Sequence, residues 1–359
     1  MIGFGGGPGA QLSEYGGRKT SAGEKVRSMI GFGSSVATTP AALREMLKAA
    51  YAEEAAAGDN ATSLSIGCLL TWMNFHRDVP LEETTDLGPK SFTYGPVPFE
   101  ARSDDTAQVY SVAVKGIKPE LGFQWPLDVY GFVAARDNLD CKRNIIFRRD
   151  RSNCQRLTTE DSSLVLTGPS RAVLASDIMN FEIELKIKGS RESEDKILSF
   201  LVIEHNCIIA RSSYGKLFRE THTNKYCTTK LLFSQLRDAV EATIDVKVVE
   251  GSWSQDFCPR FVARTKSFPS ADFLLFDPRE SMVVSDEGTI QLSRSVVTVE
   301  SDGELQLSVE AQEPGSSAVV VSDTMRLIPK RMGTTDGYFN IGFCKMEVCV
   351  SWSLLLPFL

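Results

Sequence analysis

The sequence predicts a mainly β protein, an antiparallel β-sandwich or barrel-like domain with a flexible, partly helical N-terminal extension. From position 108 onward, short segments in which apolar and polar residues alternate follow one another along the chain. Gly and Pro residues separate most of these segments, as turns between antiparallel strands require. Helical windows are almost missing between them, whereas a parallel sheet needs crossover helices. We expect the extension over residues 1–103 and the β-sandwich domain over residues 104–359.

The extension is predicted to be flexible at its start and helical near residues 40–57. Residues 1–40 are rich in Gly, Ser and Thr, and the pentapeptide Met-Ile-Gly-Phe-Gly occurs at Met1 and again at Met29. Thr39 can cap a helix whose first turn contains Pro40, and the residues that follow favour helix. Prolines at positions 80, 89, 96 and 98 then indicate an extended linker.

Two strands define the predicted core. Residues 181–188 alternate strictly, which predicts one face in the core and the other in water. We expect Phe181, Ile183, Leu185 and Ile187 to point inward and Glu182, Glu184, Lys186 and Lys188 to point into solvent. Residues 127–134 carry apolar side chains on both faces, which predicts a central strand covered on both sides. Residues 231–233 and 243–248 are predicted as two separate strands.

The overall charge and the rare histidines argue against several functional classes. The net charge is −7, so bulk electrostatics do not favour binding to nucleic acid. The eight cysteines are dispersed, without a Cys-x-x-Cys pair, which favours reduced core residues over a zinc site or a disulfide scaffold. Three histidines are present, without a His-Glu-x-x-His, Gly-x-Ser-x-Gly or phosphate-binding motif. We therefore predict no catalytic residue, no metal site and no cofactor.

Targeting signals are also missing from the sequence. The first residues show no charged segment followed by an apolar stretch, and no run approaches the roughly 20 apolar residues that span a bilayer. We expect a cytoplasmic protein, with the nucleus as an open alternative.

A basic segment is the strongest candidate binding site. Its cations crowd beside the predicted central strand: Arg136, Lys142, Arg143, Arg148, Arg149, Arg151 and Arg156. Guanidinium groups suit carboxylate or phosphate partners, so the segment predicts contact with an acidic protein partner. The alternative is a solvated strand edge whose charges prevent aggregation, with Asp150 and Asp161 as local ion-pair partners.

Two acidic residues on an adjacent loop, Asp137 and Asp140, raise a different possibility. Carboxylates at the end of a sandwich would suit a calcium-dependent, membrane-binding module. Calcium takes roughly six to eight oxygen ligands, so two carboxylates are too few to hold it.

Four segments of the sequence together resemble one known family. They begin at Trp125 (Trp-Pro-Leu-Asp-Val-Tyr-Gly-Phe-Val-Ala-Ala-Arg-Asp), Arg143 (Arg-Asn-Ile-Ile-Phe), Leu164 (Leu-Val-Leu-Thr-Gly-Pro-Ser-Arg-Ala) and Gly342 (Gly-Phe-Cys-Lys-Met-Glu-Val-Cys-Val-Ser-Trp-Ser). In order and spacing they resemble the domain of unknown function numbered 6598, a family abundant in grasses, over residues 91–354. Some members of that family look fused to ribosome-inactivating N-glycosidase domains. The resemblance implies no catalytic residue for the domain itself.

Three functions stay open at this point. The favoured hypothesis is a non-enzymatic interaction module, with a stress or defence role implied by the resemblance alone. The second is an N-glycosidase-associated domain, although the helical Glu-x-x-Arg spacing of depurinating enzymes is missing. The third is a peripheral membrane-binding module. The sequence specifies neither the partner nor the oligomeric state.

Overall fold

The computed structural model describes residues 39–355, which form antiparallel β-sheets preceded by two helices. The predicted mainly β fold with a partly helical N-terminal extension is therefore confirmed. None of the sheets formed by the described strands closes into a barrel. The predicted flexible residues 1–38, including both copies of the Met-Ile-Gly-Phe-Gly repeat, lie outside the described residues.

The two N-terminal helices form a hairpin. Helix α1 spans Pro40–Ala56 and begins as predicted, because the Thr39 hydroxyl accepts a hydrogen bond from the backbone N–H of Ala42 at 3.3 Å. Helix α2 spans Asn60–Phe75. The sequence analysis assigned most of this second helix to a linker, so one helix of the extension was missed. The division at residues 103 and 104 stays a prediction; the first strand begins at Asp104.

The strands follow in chain order. The first nine are β1 Asp104–Lys115, β2 Leu127–Arg136, β3 Asn144–Arg149, β4 Gln155–Leu157, β5 Val173–Leu174, β6 Ile178–Ile187, β7 Lys196–Asn206, β8 Leu217–Thr223 and β9 Thr228–Gly251. A short helix, α3 Cys207–Ala210, lies between β7 and β8. The others are β10 Cys258–Thr265, β11 Phe273–Phe276, β12 Thr289–Ile290, β13 Val296–Glu300, β14 Leu305–Gln312, β15 Val319–Leu327, β16 Gly333–Asn340 and β17 Cys344–Ser353.

These strands build three sheets. The central sheet has the order β16-β17-β9-β1-β5, and β8, β12 and β13 also pair with β9. The N-terminal sheet has the order β3-β2-β6-β7, with β4 on β2. The C-terminal sheet has the order β11-β10-β14-β15. Strand β9 belongs to both halves of the molecule, because its first part pairs with β1 and β8 and its second part with β13 and β17.

Two sandwiches therefore share the central sheet. In the first, Phe233 of β9 packs with Phe181 and other side chains of the N-terminal sheet. In the second, Ile244 of β9 belongs to the same core as Phe261 of the C-terminal sheet. The predicted strands 231–233 and 243–248 are thus parts of one 24-residue strand. Between them, Asp238 adopts a left-handed backbone with a φ of 48°.

Strand β6 confirms the predicted inward face but not the predicted solvent-exposed face. Its inward side chains, including Phe181 and Ile183, are buried in the core of the first sandwich. The prediction of solvent for the opposite face was wrong for Glu182 and Glu184, which are each only 4% exposed. The reason is that this outer face of the N-terminal sheet, away from the central sheet, is covered too.

The helical hairpin supplies that cover. Leu47 of α1 and Ile66 of α2 pack against Phe200 and Val202 on the outer face of β7. Strand β2 is buried along almost its whole length, as predicted for a central strand covered on both sides. None of the helices within residues 39–355 is long and apolar enough to cross a membrane.

Candidate functional site

The basic segment does not form one surface. Arg136 and Arg143 are 2% and 5% exposed, and both donate hydrogen bonds from Nε to the carboxylate of Glu182. The Arg136 guanidinium also donates to the backbone carbonyl of Leu81 and lies 4.4 Å from the ring centre of Trp72 in α2. Arg136 therefore links the helical hairpin to the sheet, and these contacts enclose the guanidinium groups of both arginines within the fold.

The two buried glutamates of β6 have opposite electrostatic environments. Burial by itself raises the pKa of the Glu182 carboxyl, but the adjacent Arg136 and Arg143 outweigh that effect and lower it. The pKa of Glu184 is raised, because burial exceeds the attraction of Lys186, whose Nζ lies 3.5 Å from Oε1. The ionised form is therefore favoured at Glu182 and disfavoured at Glu184.

The remaining cations of the basic segment spread over several places. Lys142 pairs with Glu83 and Asp86, Arg149 with Glu280 at 2.5 Å, Arg151 with Asp195 at 2.8 Å and Arg156 with Asp128 at 3.5 Å, while Arg148 is exposed. The predicted partner Asp161 pairs instead with Arg279. Contact of an acidic partner with these five cations stays a prediction, and the structure does not bring them together.

The carboxylates considered for calcium are occupied by a buried arginine. Arg171 donates to Asp137 at 2.7 Å and to Asp140 at 2.8 Å. The Thr85 hydroxyl and the backbone N–H of Lys142 also donate to Asp140. Within residues 39–355, no group of three or more His, Cys, Asp or Glu side chains is arranged to hold a metal ion.

A large cleft opens where the C-terminal sheet meets the first half of β9. Its volume is about 750 Å³, and its walls come from β1, β8, β9, β10, β11, β14 and the loop after β4. Apolar side chains cover much of the wall: Leu164, Leu166, Leu217, Leu232 and Leu274. Four arginines also line it: Arg219, Arg260, Arg279 and Arg294. We call this feature the inter-sandwich cleft.

Two of the four arginines are neutralised by carboxylates in the wall. Arg260 pairs with Asp272 and, at 2.7 Å, with Glu310. Arg279 pairs with Asp277 and Asp161, each at 2.6 Å. Burial lowers the pKa of both guanidinium groups, but the adjacent carboxylates outweigh that effect and raise it. These pairs fix the shape of the wall, and the charge of both arginines is balanced within the fold.

Arg294 is different. Its Nε donates to the carbonyl of Gly168 at 2.6 Å and its Nη2 to the carbonyl of Val109 at 2.8 Å, while the guanidinium lies 3.6 Å from the ring centre of Phe273. No carboxylate of the described residues forms an ion pair with it, and its Nη1 has no hydrogen-bond partner among them. Burial lowers its pKa to about 9. Arg219, also in the wall, is exposed and forms no ion pair within residues 39–355.

None of the four arginines of the cleft was predicted as a site residue. They are dispersed along the chain, so no local cluster of cations indicates them. One signal was available for Arg294. Positions 290, 292, 294 and 296 share one face of an extended segment, and the other three are Ile290, Leu292 and Val296. A cation at an apolar position indicates a buried charge, although not the surface that it faces.

The lining of the cleft is largely apolar, with a few polar donors and acceptors. None of the three histidines lines it: His76 caps α2, His205 packs edge-on against the stacked rings of Phe218 and Phe233, and His222 lies beside Glu220. Apolar walls with a few fixed donors are typical of ligand sites. The basic segment meets this region at one point, because Arg149 pairs with Glu280, next to Arg279.

The family comparison covers the whole of this region. Residues 106–350 match the family described as "Domain of unknown function (DUF6598)". The chain belongs to the DUF6598 family. The match confirms the resemblance seen in the sequence, over a somewhat shorter range than the expected 91–354. The matched range includes all the residues that line the inter-sandwich cleft of this DUF6598 chain.

Other comparisons give only distant similarity. No curated protein sequence matches the DUF6598 chain. A human GIVD cytosolic phospholipase A2 in complex with methyl gamma-linolenyl fluorophosphonate is 13% identical, with a TM-score of 0.24, covering 70% of this chain and 33% of that one. The calcium-bound pair of C2 domains of extended-synaptotagmin 2 is 10% identical, with a TM-score of 0.24, covering 72% and 99%. The chain thus spans about one third of the phospholipase, and TM-scores this low carry no inference about function.

Proposed function

We propose that this DUF6598 chain is a non-enzymatic binding module whose inter-sandwich cleft takes an acidic segment of a protein partner. The observation that carries the proposal is the pairing of leucine-rich walls with two arginines, Arg219 and Arg294, that have no carboxylate partner among the described residues. Guanidinium forks suit carboxylates, and apolar walls suit the side chains that flank them. A stress or defence role in plants belongs to the same proposal through the family resemblance alone, and action in the cytoplasm stays a prediction of the sequence.

The form of the cleft supports a partner segment. The ion pairs of Arg260 and Arg279 hold parts of the wall in place before binding, which reduces the conformational entropy that association costs. Arg219 on β8 is exposed, so it can attract an acidic segment from solution. Leu217, on the same strand, offers apolar contact beside it.

The first test is affinity capture from native tissue with the full chain as bait. Arg219→Glu should reduce capture of the specific partner at least about tenfold, because an exposed charge of the wrong sign repels an acidic segment. Arg331→Glu is the matched control: it makes the same change in net charge on an exposed arginine outside the lining of the cleft. Capture should also weaken between about 0.1 and 1 M salt, where the screening length falls from about 10 to 3 Å.

Capture alone does not decide the question, so the bound region of the partner must be mapped. Fragments of the captured protein that bind wild-type bait and lose binding to Arg219→Glu should contain acidic residues flanked by apolar ones. Equal capture by Arg219→Glu and Arg331→Glu would contradict the proposed site. Release of adenine from ribosomes by the purified chain would contradict the non-enzymatic function.

A further inference from the structure

The buried arginines of this fold separate into two kinds. Four arginines of residues 39–355 are buried: Arg136, Arg143, Arg171 and Arg294. The first three pair with the carboxylates of Glu182, Asp137 or Asp140. Arg294 is 2% exposed and has only two backbone carbonyls and an aromatic face around its charge. A buried cation without an anion is costly, which is why such groups are normally paired.

The guanidinium of Arg294 is fixed in orientation. Its Nε and Nη2 donate to the carbonyls of Gly168 and Val109, which belong to different segments of the first sandwich, and its face lies on Phe273 of β11. This arrangement uses one edge of the guanidinium and leaves Nη1 on the other edge without a partner. A buried donor left unpaired is unfavourable. Nη2 of Arg143 is unpaired too, but Glu182 balances the charge of Arg143, whereas Arg294 lacks both an acceptor for Nη1 and an anion, and a ligand in the cleft supplies both.

We propose that Arg294 is the anchor for one oxyanion of the segment bound in the inter-sandwich cleft, with Nη1 as the donor. The inference rests on the proposed function and adds the chemical class of the ligand: an acidic side chain, carboxylate or phosphate, flanked by apolar residues. Arg294 lines the same cleft as Leu217 and Leu232, so the apolar flanks have walls to cover. Arg219, at the exposed side, meets the segment first.

Burial makes this pairing selective. In a site shielded from water, a charge-assisted hydrogen bond is stronger than at the surface, and a neutral side chain gains much less from it. The lowered pKa of Arg294 agrees with this picture, because an adjacent oxyanion would favour the charged form and raise that pKa again. Lysine cannot reproduce the arrangement, since a single ammonium cannot hold both carbonyls and present a third donor in the same plane.

The test uses the full chain and three capped peptides that differ at one position: Leu-Ala-Asp-Ala-Leu, its asparagine analogue and its phosphoserine analogue. Calorimetry on wild type should show the charged peptides binding about tenfold or more tightly than the asparagine peptide. The two charged peptides decide between a carboxylate and a phosphate as the preferred source of the oxyanion. Arg294→Gln should remove the preference for charge, Arg294→Lys should restore only part of it, and Arg331→Gln should leave it unchanged.

A second measurement keeps the proposal testable if the Arg294 variants do not fold. A benzoylphenylalanine placed next to the acidic residue of the peptide should crosslink, on wild type, to the segments that hold Val109, Gly168 or Phe273. Crosslinks only to other segments, or equal affinity for the aspartate and asparagine peptides, would overturn the role of Arg294.

The oxyanion anchor at Arg294 and the proposed binding function of the cleft can be contradicted separately. If Arg219→Glu releases the natural partner while the peptides show no preference for charge, the oxyanion anchor is wrong and the binding cleft stands. If neither Arg219→Glu nor the peptides show an effect, the proposed function fails as well.

Discussion

Arg143 and Arg294 are two buried arginines in one chain, and their surroundings are opposite. Arg143 lies over the ring of Phe132 in the N-terminal sheet and shares the carboxylate of Glu182 with Arg136. Arg294 lies beside an open cleft and has no carboxylate at all among the described residues. The charge of Arg143 is balanced within the fold by Glu182, although its Nη2, like Nη1 of Arg294, has no hydrogen-bond partner among the described residues. The charge of Arg294 is not balanced there, and that difference separates an arginine that holds elements together from one whose charge a ligand can balance.

The difference also shows why a count of cations along the sequence did not indicate the inter-sandwich cleft. The basic segment is dense because one of its functions is internal: it neutralises acids on the outer face of the N-terminal sheet. A surface used for binding requires charge that the fold has not already paired. Isolated arginines such as Arg219 and Arg294 meet that condition better than a cluster does.

The largest loss of stability should come from removing the carboxylate that Arg136 and Arg143 share. Glu182→Ala leaves Arg136 and Arg143 buried without their anion, and we expect the free energy of unfolding to fall by about 3–5 kcal/mol. Urea denaturation of both proteins measures this. A loss under about 1 kcal/mol would show that water reaches both arginines and that the network is not structural.

The opposite face of the same strand should be nearly as sensitive for a different reason. Ile183→Ala removes a side chain that is 1% exposed in the first sandwich core, which should cost about 2–5 kcal/mol through the cavity it leaves. Lys188→Ala, exposed just beyond β6, is the control and should change stability by less than about 0.5 kcal/mol. Equal denaturation midpoints for these two variants would contradict the register of the strand.

A smaller loss of stability is expected when Arg294 is replaced. Arg294→Met leaves the carbonyls of Gly168 and Val109 without their donor but leaves no anion unpaired. We expect a loss of about 1–2 kcal/mol, clearly less than for Glu182→Ala. If the two variants lost the same stability, Arg294 would be a structural residue of the same kind as Arg143. Arg143 and Arg294 would then not differ in role.

The smallest effect concerns Glu184, whose Oε2 has no partner in the described fold. Its pKa is raised by burial, so the folded chain holds this proton more tightly than the unfolded chain. Between the ordinary pKa of 4.5 and the raised pKa of the folded chain, the unfolded state therefore binds fewer protons than the folded state. The free energy of unfolding falls as pH rises through this interval. Glu184→Gln removes this dependence and should stabilise the chain by about 1 kcal/mol at neutral pH, with little effect below pH 4.5.

For Glu182 the sign is reversed. Its pKa is lowered, so its contribution is present above 4.5 and is lost as pH falls through the lowered value. Stability curves against pH for Glu182→Gln and Glu184→Gln should therefore diverge from wild type in opposite directions. Parallel curves would show that the two carboxyls share one environment.

The sequence by itself determined the local features. Alternation placed Phe181 and Ile183 on one face of β6 and Glu182 on the other, because side chains in a strand point to opposite sides in turn. Thr39 and Pro40 marked the start of α1, since capping depends on neighbouring residues only. The apolar residues on both faces of β2 correctly predicted that it is covered on both sides.

Only the tertiary structure decided what each face meets. The hairpin of α1 and α2 covers the outer face of the N-terminal sheet, and this turned Glu182 from an expected surface charge into a buried one. Residues 231–233 and 243–248 were predicted as two separate strands, yet β9 continues between them and joins two sandwiches. The unpaired donor of Arg294 likewise depends on which carboxylates distant segments bring near. Periodicity fixes the direction of a side chain within its element, whereas its burial and its partners depend on residues far away along the chain.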